Sequence, residues 1–318
     1  MRDRIIDQAF TRESLHGNVG EPTYSGALSF FRRKYTRDLT GVDVAVTGVP
    51  LDLATTNRPG ARFGPAAIRA ASAIMAWSRP YGWAFDPFDR LAVVDAGDCP
   101  FDFGRPERVP DEIEQHARGL LDGGAALLTL GGDHFISYPL LKAHAAKHGA
   151  PLSLLHFDAH TDTWADDEEE RIEHGTMFYH AARQGLVDPA RSVQVGIRTY
   201  NTEPMGFNIL DASWVHANGI AATVAEIRRI LGDSKVYLTF DIDCLDPSFA
   251  PGTGTPVCGG LSSAQVLAIF KGLAGINLIG MDVVEVAPTY DVGQITALAG
   301  AAIAAECLCL MAHNRAAR

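Results

Sequence analysis

Leu152-Ser-Leu-Leu-His-Phe157, followed directly by Asp158-Ala-His160-Thr-Asp162, is the stretch that decides the fold. Its apolar part predicts a buried parallel strand. Because side chains alternate between the two faces of a strand, residues at i, i+2 and i+4 point the same way. Asp158, His160 and Asp162 would therefore converge at the carboxyl end of the strand, where open α/β sheets place their sites. Taken alone, the pattern is compatible with a metal site or with a solvated polar turn.

Two further strand ends carry the same kinds of side chain. Lys235-Val-Tyr-Leu-Thr-Phe-Asp241-Ile-Asp243 is an apolar strand that runs into two carboxylates on one face. Leu127-Leu-Thr-Leu-Gly-Gly-Asp-His134 is another apolar strand, broken by two glycines and ending in a histidine. Carboxylates that are buried close together repel one another, so they either hold protons or need a cation between them. The three strand ends together favour a metal site over a polar turn.

Strands and helices alternate along the chain from Val42 onward. Apolar runs predict strands at 42–49, 91–96, 126–131, 152–158, 192–197, 236–242 and 277–284. The segments between them predict helices at 65–77, 110–122, 136–148, 222–231, 262–273 and 294–312. This alternation predicts one α/β domain with a mostly parallel sheet and helices on both faces. Residues 1–40 show no clear strand and are expected to form an N-terminal arm that packs on residues 41–318 or on a neighbouring subunit.

Composition limits the classes of protein to which the chain can belong. With 318 residues, 47% hydrophobic and 20% charged, it can form one sizeable core. A formal net charge of −11 argues against nucleic acid or a membrane surface as a partner. The five scattered cysteines and the absence of an apolar signal core predict a reduced, cytoplasmic protein. The longest apolar run, Ile295–Met311, is interrupted by Glu306 and is expected to be a buried helix.

Six candidate metal ligands follow the three strands, and none contains sulfur: His134, Asp158, His160, Asp162, Asp241 and Asp243. Such a set is too large for one tetrahedral zinc ion and suits two octahedral divalent ions with bridging carboxylates. Oxygen-rich ligation with some imidazole favours manganese over zinc. Two such ions can share a water and deprotonate it at neutral pH, which predicts a hydrolase.

The motifs that carry these ligands resemble signatures of the ureohydrolase (arginase–agmatinase) family. They are Gly131-Gly-Asp-His134, Asp158-Ala-His-Thr-Asp162 and Asp241-Ile-Asp-Cys-Leu-Asp-Pro-Ser-Phe-Ala-Pro-Gly-Thr-Gly-Thr-Pro256. The likeness runs from about Val42 to the C-terminus and includes 58–65 and 281–288. It implies a three-layer α/β/α arginase-like fold with about eight strands in the sheet. It also implies a homotrimer or homohexamer.

The resemblance implies a binuclear manganese site with two Mn²⁺ ions per subunit. One ion would be held by His134, Asp158, Asp162 and Asp241, and the other by Asp158, His160, Asp241 and Asp243. Asp158 and Asp241 would thus bridge the two ions.

Three catalytic residues are also implied by the resemblance. Asp162 would relay a proton to the departing amine, and His174 would act as a general acid/base or as a shuttle to solvent. Glu285 would bind the guanidinium of the substrate through paired hydrogen bonds. On the residues alone, an ordinary buried salt-bridge partner is the better interpretation of Glu285.

The segment after the Asp158–Asp162 motif bears on the substrate. Arginases of the family have Asn and Ser here for the amino-acid end of arginine, whereas this chain reads Thr163-Trp-Ala-Asp-Asp-Glu-Glu-Glu170. The acidic segment 166–173 is expected to be a solvated loop that borders the site. It would repel a carboxylate tail and attract an ammonium tail. The expected reaction is hydrolysis of agmatine, a small cationic guanidino compound, to putrescine and urea. Hydrolysis of 4-guanidinobutyrate or 3-guanidinopropionate is the alternative.

Two other classes remain open. Zinc deacetylases share the arginase-like fold but use fewer carboxylates around a single zinc, and a non-catalytic binding protein would hydrolyse no guanidino compound. His156 is expected to lie in the core or beside the ligands. Four histidines in helix-like sequence patterns are expected at the surface: His116, His144, His148 and His180.

Overall fold

A sheet of nine strands forms the centre of the computed structural model, which describes residues 6–202, 204–313 and 315–316. Within that part of the chain every strand pair is parallel. In chain order the strands are β1 Lys34–Tyr35, β2 Val44–Val49, β3 Val93–Asp98, β4 Ala126–Gly131, β5 Ser153–Phe157, β6 Val193–Val195, β7 Asn208–Leu210, β8 Val236–Asp241 and β9 Leu278–Val284. In space they follow the order β1-β3-β2-β4-β9-β8-β5-β6-β7.

Helices cover both faces of the sheet. They are α1 Gln8–Thr11, α2 Gly64–Ser72, α3 Val109–Asp122, α4 Ser137–His148, α5 Met177–Arg183, α6 Ala212–Leu231, α7 Ser263–Gly272 and α8 Ile295–Ala312. The apolar side chains of α2, α6, α7 and α8 belong to one core cluster, and those of α3, α4 and α5 belong to a second. Two cores separated by one sheet confirm the predicted three-layer α/β/α fold.

The seven predicted strands are all present, and their ends lie within two residues of the predictions. Two strands were not predicted, and they occupy the two edges of the sheet: β1 and β7. β1 lies within residues 1–40, where the sequence shows no clear strand. Both edge strands are too short, at two and three residues, to display the alternation by which a strand is recognised.

Four helices differ from the predictions: α1 was not predicted, α2 ends at Ser72 rather than at 77, and α5 and α6 differ as follows. α5 was not predicted, and α6 begins at Ala212 rather than at 222. Gly219, with φ of 78°, interrupts the helical backbone of α6 and hides the apolar periodicity of its first half. Asp211 nevertheless caps the amino end of that helix by accepting a hydrogen bond from the backbone of Trp214.

The surface prediction is wrong for two of the four helical histidines. His144 on α4 and His180 on α5 are buried, whereas His116 and His148 are half-buried. α4 is enclosed by the sheet, α3 and α5, so that it offers no wide solvent face. Burial lowers the pKa of His144 to about 4, and this ring packs edge-on against Tyr237 as an uncharged core residue.

Residues 30–35 belong to the body of the fold. Phe30 and Phe31 are buried in the first core cluster, and β1 pairs with β3 at the edge of the sheet. Asp95 of β3 ties this segment to α2 because it accepts hydrogen bonds from the backbone of Phe30 and from the guanidinium of Arg69. Residues 1–5 of the predicted arm lie outside the described residues.

α8 is the one described helix that is long and apolar enough to cross a membrane by length and composition. It is mostly buried between α2, α7 and β9, as predicted. A core helix of a globular domain meets the same criteria, so its composition carries no evidence of membrane insertion.

Candidate metal centre

Four adjacent central strands, β4, β9, β8 and β5, bring the predicted site residues to one edge of the sheet. Because the strands are parallel, their carboxyl ends meet at this edge. Asp158 directly follows β5, Asp241 ends β8, and Glu285 directly follows β9. Gly131 ends β4, and His134 begins the turn that follows Gly132 and Asp133.

Tight packing explains one of those glycines. A Cβ atom on Gly132 would lie 2.0 Å from the backbone oxygen of Leu51. Only glycine therefore lets the loop after β2 approach the end of β4, which fixes the position of His134.

The first half of the site surrounds one ring nitrogen of His134. Its Nδ1 atom lies 3.0 Å from Asp158 Oδ2, 2.9 Å from Asp162 Oδ2 and 3.3 Å from Asp241 Oδ2. This atom is buried and has no well-directed hydrogen-bond partner. Here three carboxylate oxygens converge on one imidazole nitrogen without a well-directed hydrogen bond to it. Such a group of atoms is a suitable ligand set for a cation.

The second half of the site surrounds His160. Its Nδ1 atom lies 3.3 Å from Asp158 Oδ1 and 3.1 Å from Asp243 Oδ2. Asp158 therefore faces both histidines, one with each oxygen. The backbone N–H of Asp243 donates to Asp241 Oδ1 at 2.7 Å, which orients the carboxylate between the two groups. The structure thus brings all six predicted ligands together.

In the metal-free site, burial and mutual repulsion disfavour the charged forms of several carboxyl groups. Burial, and then the neighbouring carboxylates, raise the pKa of Asp162, Asp241 and Asp243. Burial alone would lower the pKa of the histidines, but Asp243 and Asp158 raise that of His160 to about 12. Without metal, protons on these groups offset the negative charge of the cluster. Bound cations would neutralise the same charge. The residues therefore fit divalent metal ions.

A hydrogen-bonded relay fixes His134 from behind. Its Nε2 lies 2.8 Å from Thr239 Oγ1, which donates to Asp282 Oδ1 at 2.5 Å. Asp282 also accepts from Tyr237 and Ser137. Because the Thr239 hydroxyl has donated its own proton to Asp282, it accepts from Nε2–H, and this leaves the Nδ1 lone pair of His134 free for a metal.

His156 is hydrogen-bonded to a candidate ligand, Asp158, and orients it. The side-chain amide of Gln194 donates to His156 Nδ1 at 3.0 Å and to the Thr161 carbonyl at 2.7 Å. The ring therefore carries its proton on Nε2 and donates it to Asp158 Oδ2 at 2.7 Å. This is the place beside the ligands that the sequence predicts for His156.

His174 and Glu285 form a pair next to the cluster. His174 Nδ1 donates to Glu285 Oε1 at 2.9 Å, and the same oxygen accepts from the backbone of His134. The other ring nitrogen of His174 contacts Thr56 Oγ1 at 2.9 Å, and Glu285 Oε2 is buried without a partner. Burial would lower the pKa of His174, but the Glu285 carboxylate raises it to about 9.

Backbone strain is concentrated at two of these residues. Asp162 has φ of 51° and Glu285 has φ of 63°, values that non-glycine residues rarely adopt. Such conformations cost free energy and persist where the surrounding structure holds a functional side chain in place.

A cavity of about 240 Å³ lies over the cluster. It is lined by Thr56, His134, His160, Asp162, Trp164, Glu173, His174, Gly175, Asp241 and Thr255. Asp158, Asp243 and Glu285 lie beneath this lining. None of the described lining residues is a lysine or an arginine.

Sequence reasoning missed several residues that support the site. Thr239 precedes Asp241 by two positions on β8 and therefore faces the same way, a signal that could have been read. Asp282 is a charged residue within a buried apolar strand, which is a second such signal. No sequence pattern brings Thr56 to His174, because they lie 118 residues apart in the chain.

The chain is an α/β protein with a candidate metal centre at the carboxyl ends of a parallel sheet. Residues 42–310 match the model of the arginase family. The chain is 59% identical over its whole length to an agmatinase of Chromobacterium violaceum, of which it covers 99%.

Solved structures agree with the family match. A crystal structure of a hypothetical agmatinase from Burkholderia thailandensis aligns with a TM-score of 0.95 and 62% identity, covering 96% of this chain and 97% of that one. Proclavaminate amidino hydrolase from Streptomyces clavuligerus aligns with a TM-score of 0.85 and 40% identity, covering 92% of this chain and 99% of that one. The chain belongs to the arginase family.

Proposed function

We propose that the protein is an agmatinase, which hydrolyses agmatine to putrescine and urea. The observation that carries this proposal is the cavity over the six ligands. It offers the carboxylate of Glu173 to the tail of a substrate, and no lysine or arginine lines it within the described residues. An ammonium tail is therefore favoured over a carboxylate tail. The full-length relative named as an agmatinase supports the same substrate.

Two Mn²⁺ ions per subunit are the metal complement that we propose. His134, Asp158, Asp162 and Asp241 would hold one ion, and Asp158, His160, Asp241 and Asp243 would hold the other. The oxygen-rich ligand set supports manganese. When bound, the ions would supply Lewis acidity and a hydroxide nucleophile at neutral pH.

The side chains around the cluster would carry the remaining chemistry. A guanidinium remains protonated at neutral pH, so the departing alkylamine must receive a proton before it leaves. Asp162 would take the proton of the nucleophile and relay it. His174, whose pKa is raised to about 9 beside Glu285, holds a proton at neutral pH and would donate it to the amine or exchange it with solvent.

Glu285 would orient the guanidinium in this scheme. One of its oxygens is already engaged by His174 and by the backbone of His134, whereas Oε2 is buried without a partner. A guanidinium N–H would satisfy that oxygen with a charge-assisted hydrogen bond.

A urea-release assay tests the proposed function. Protein loaded with Mn²⁺ should release urea from agmatine much faster than from arginine, 4-guanidinobutyrate or 3-guanidinopropionate. A strong preference for 4-guanidinobutyrate would overturn the substrate while leaving the chemistry. No urea from any guanidino compound would favour a non-catalytic binding protein.

Metal analysis separates the proposal from a zinc deacetylase. We expect two ions per chain in the wild-type protein. Asp158→Ala or Asp241→Ala should lose both the activity and one or more of the ions. One zinc ion per chain, with no urea release from any guanidino compound, would favour the deacetylase class.

We also propose a cytoplasmic homotrimer or homohexamer in which an N-terminal arm, residues 1–40, packs on the catalytic domain, residues 41–318, or on a neighbouring subunit. Apolar side chains of the arm are exposed, among them Phe10 at 64% and Tyr24 at 91%. Trp77 and Tyr81, near α8, are also exposed. Large exposed apolar groups support subunit contacts. Free cysteines support a reducing compartment. Light scattering would detect the oligomer.

A further inference from the structure

Glu173 stands beside Trp164 in the wall of the cavity over the ligands. Both side chains flank Gly175. A Cβ atom on this glycine would lie 3.2 Å from Trp164 Cε3 and 3.4 Å from each carboxylate oxygen of Glu173. The backbone N–H of Trp164 donates to the Gly175 carbonyl at 3.1 Å, which keeps the backbone of Trp164 beside Gly175. An indole and a carboxylate therefore face one slot that glycine leaves open.

Glu173 differs from three of the other acidic residues of its loop, which have side-chain partners. Asp166 and Glu168 form ion pairs with Arg171, and Glu169 accepts a hydrogen bond from Tyr138. Glu173 has no ion-pair partner among the described residues, and its one hydrogen bond is from the backbone of Gly175 to Oε1 at 3.1 Å. Its negative charge is therefore available to a ligand.

The positions of the acidic residues sharpen this contrast. Asp166, Asp167 and Glu169 line a separate cavity with His180, Arg183 and Gln184. Of the acidic segment 166–173, the residue that lines the cavity over the metal ligands is Glu173. Within this segment, the carboxylate that a substrate tail in the cavity would meet is thus that of Glu173.

We propose that Glu173 and the ring of Trp164 form the subsite for the distal ammonium group of the substrate. This inference rests on the proposed function, because it concerns the tail of a guanidino compound whose head lies at the metal ligands. The carboxylate would accept a charge-assisted hydrogen bond from the ammonium, and the indole face would add a cation–π contact. A carboxylate tail would meet repulsion at the same place.

Glu173→Gln separates this role from a purely structural one. The amide oxygen of Gln can still accept from the Gly175 backbone, so the loop keeps its hydrogen bond while the charge is removed. Glu170→Gln is the matched control, because Glu170 is exposed in the same loop and does not line the cavity.

The experiment compares agmatine with 1-butylguanidine, which has the same chain without the ammonium. For the Mn²⁺-loaded full chain, Glu173→Gln should lower kcat/KM for agmatine by about 10- to 100-fold, mostly through KM. For butylguanidine the same variant should change kcat/KM by less than about twofold. Glu170→Gln should leave both values at the wild-type level. Glu173→Lys should shift the preference toward 4-guanidinobutyrate.

The outcomes distinguish the subsite from the function. Wild-type protein that fails to hydrolyse agmatine overturns the proposed function and the subsite with it. The subsite alone is overturned if the wild-type protein hydrolyses agmatine but Glu173→Gln lowers kcat/KM for agmatine no more than for butylguanidine. Equal losses in Glu173→Gln and Glu170→Gln would also overturn it, because the effect would then belong to the charge of the loop as a whole.

Discussion

At the scale of single residues, the ring of His134 is held by partners that lie behind the candidate metal ligands. Thr239 accepts from its Nε2, and Asp282 anchors Thr239. The two residues are opposite each other in the paired strands β8 and β9. The position of one ligand thus depends on a carboxylate that contacts neither the cavity nor the cluster.

Asp282→Asn tests this relay. The amide would present a donor to hydroxyls that now donate to the carboxylate, so Thr239 would turn and release His134. We expect Mn²⁺ affinity to fall by about 10- to 100-fold, measured by titration of the metal-free protein. Unchanged affinity in a variant that folds normally would show that Asp282 plays no part in holding the ligand.

His174→Asn tests the proposed proton donor. General acid–base catalysis contributes about 100-fold or more, so kcat should fall by at least that amount while KM for agmatine changes little. The pKa of His174 is raised to about 9, so the proton is present below that pH and lost above it. The alkaline limb that this group gives to the pH–rate profile should therefore be absent in the variant. A raised KM for agmatine with an unchanged kcat would instead assign His174 to substrate binding.

At the scale of elements, Arg198 joins the loops that follow β6 and β8. Its guanidinium donates to the backbone oxygens of Gly196, Asp243, Cys244, Leu245 and Val257. The bond to the Asp243 carbonyl is 2.6 Å long. A planar fork of donors suits this arrangement, and a lysine ammonium cannot reproduce it.

Arg198→Lys should therefore loosen the loop that carries Asp243. We expect the free energy of unfolding to fall by roughly 1–3 kcal/mol and Mn²⁺ content to fall with it, measured by urea unfolding and metal analysis. Arg228→Lys is the matched control. Arg228 also donates to backbone carbonyls, of Gly272 and Ala274, but at a turn distant in the chain from the ligands. Equal metal loss in both variants would contradict a specific role for Arg198.

At the scale of the whole molecule, the cluster links stability to pH and metal. Asp162, Asp241, Asp243, His134 and His160 all have raised pKa values, so they bind protons more tightly in the folded protein than in the unfolded chain. Stability from such groups is lost as the pH rises through the raised pKa values. Asp158 has the opposite sign, because burial is outweighed by His156 and the other histidines, which lower its pKa.

The metal-free protein should consequently lose thermal stability as the pH rises above about 6.5, the ordinary pKa of a histidine, towards the raised pKa of His160 at about 12. Mn²⁺ replaces the protons, so the increase in Tm that it causes should be larger at about pH 8 than at about pH 6. Thermal unfolding of chelator-treated protein with and without Mn²⁺ measures both effects. An increase in Tm that does not depend on pH would contradict proton displacement from the ligands.

The seven longer strands and the candidate metal ligands could be predicted from the sequence alone. Buried parallel strands leave continuous apolar runs, and ligands directly after a strand keep a fixed spacing, so 152–158 and 236–242 could be located with their carboxylates. The edge strands β1 and β7 could not be predicted because two or three residues are too few to show an alternating pattern. The first half of α6 could not be predicted because Gly219 interrupts its helical periodicity.

Which polar residues contact one another depends on tertiary packing and could not be predicted from the sequence. The acidic loop was one feature in the sequence, but its charges separate in the fold: Asp166 pairs with Arg171, whereas Glu173 turns to the cavity. Thr56 reaches His174, and His144 enters the core, through contacts between segments distant in the chain. Local periodicity fixes the direction of a side chain relative to its own strand or helix. What that side chain meets there depends on the packing of other elements, which the local sequence does not encode.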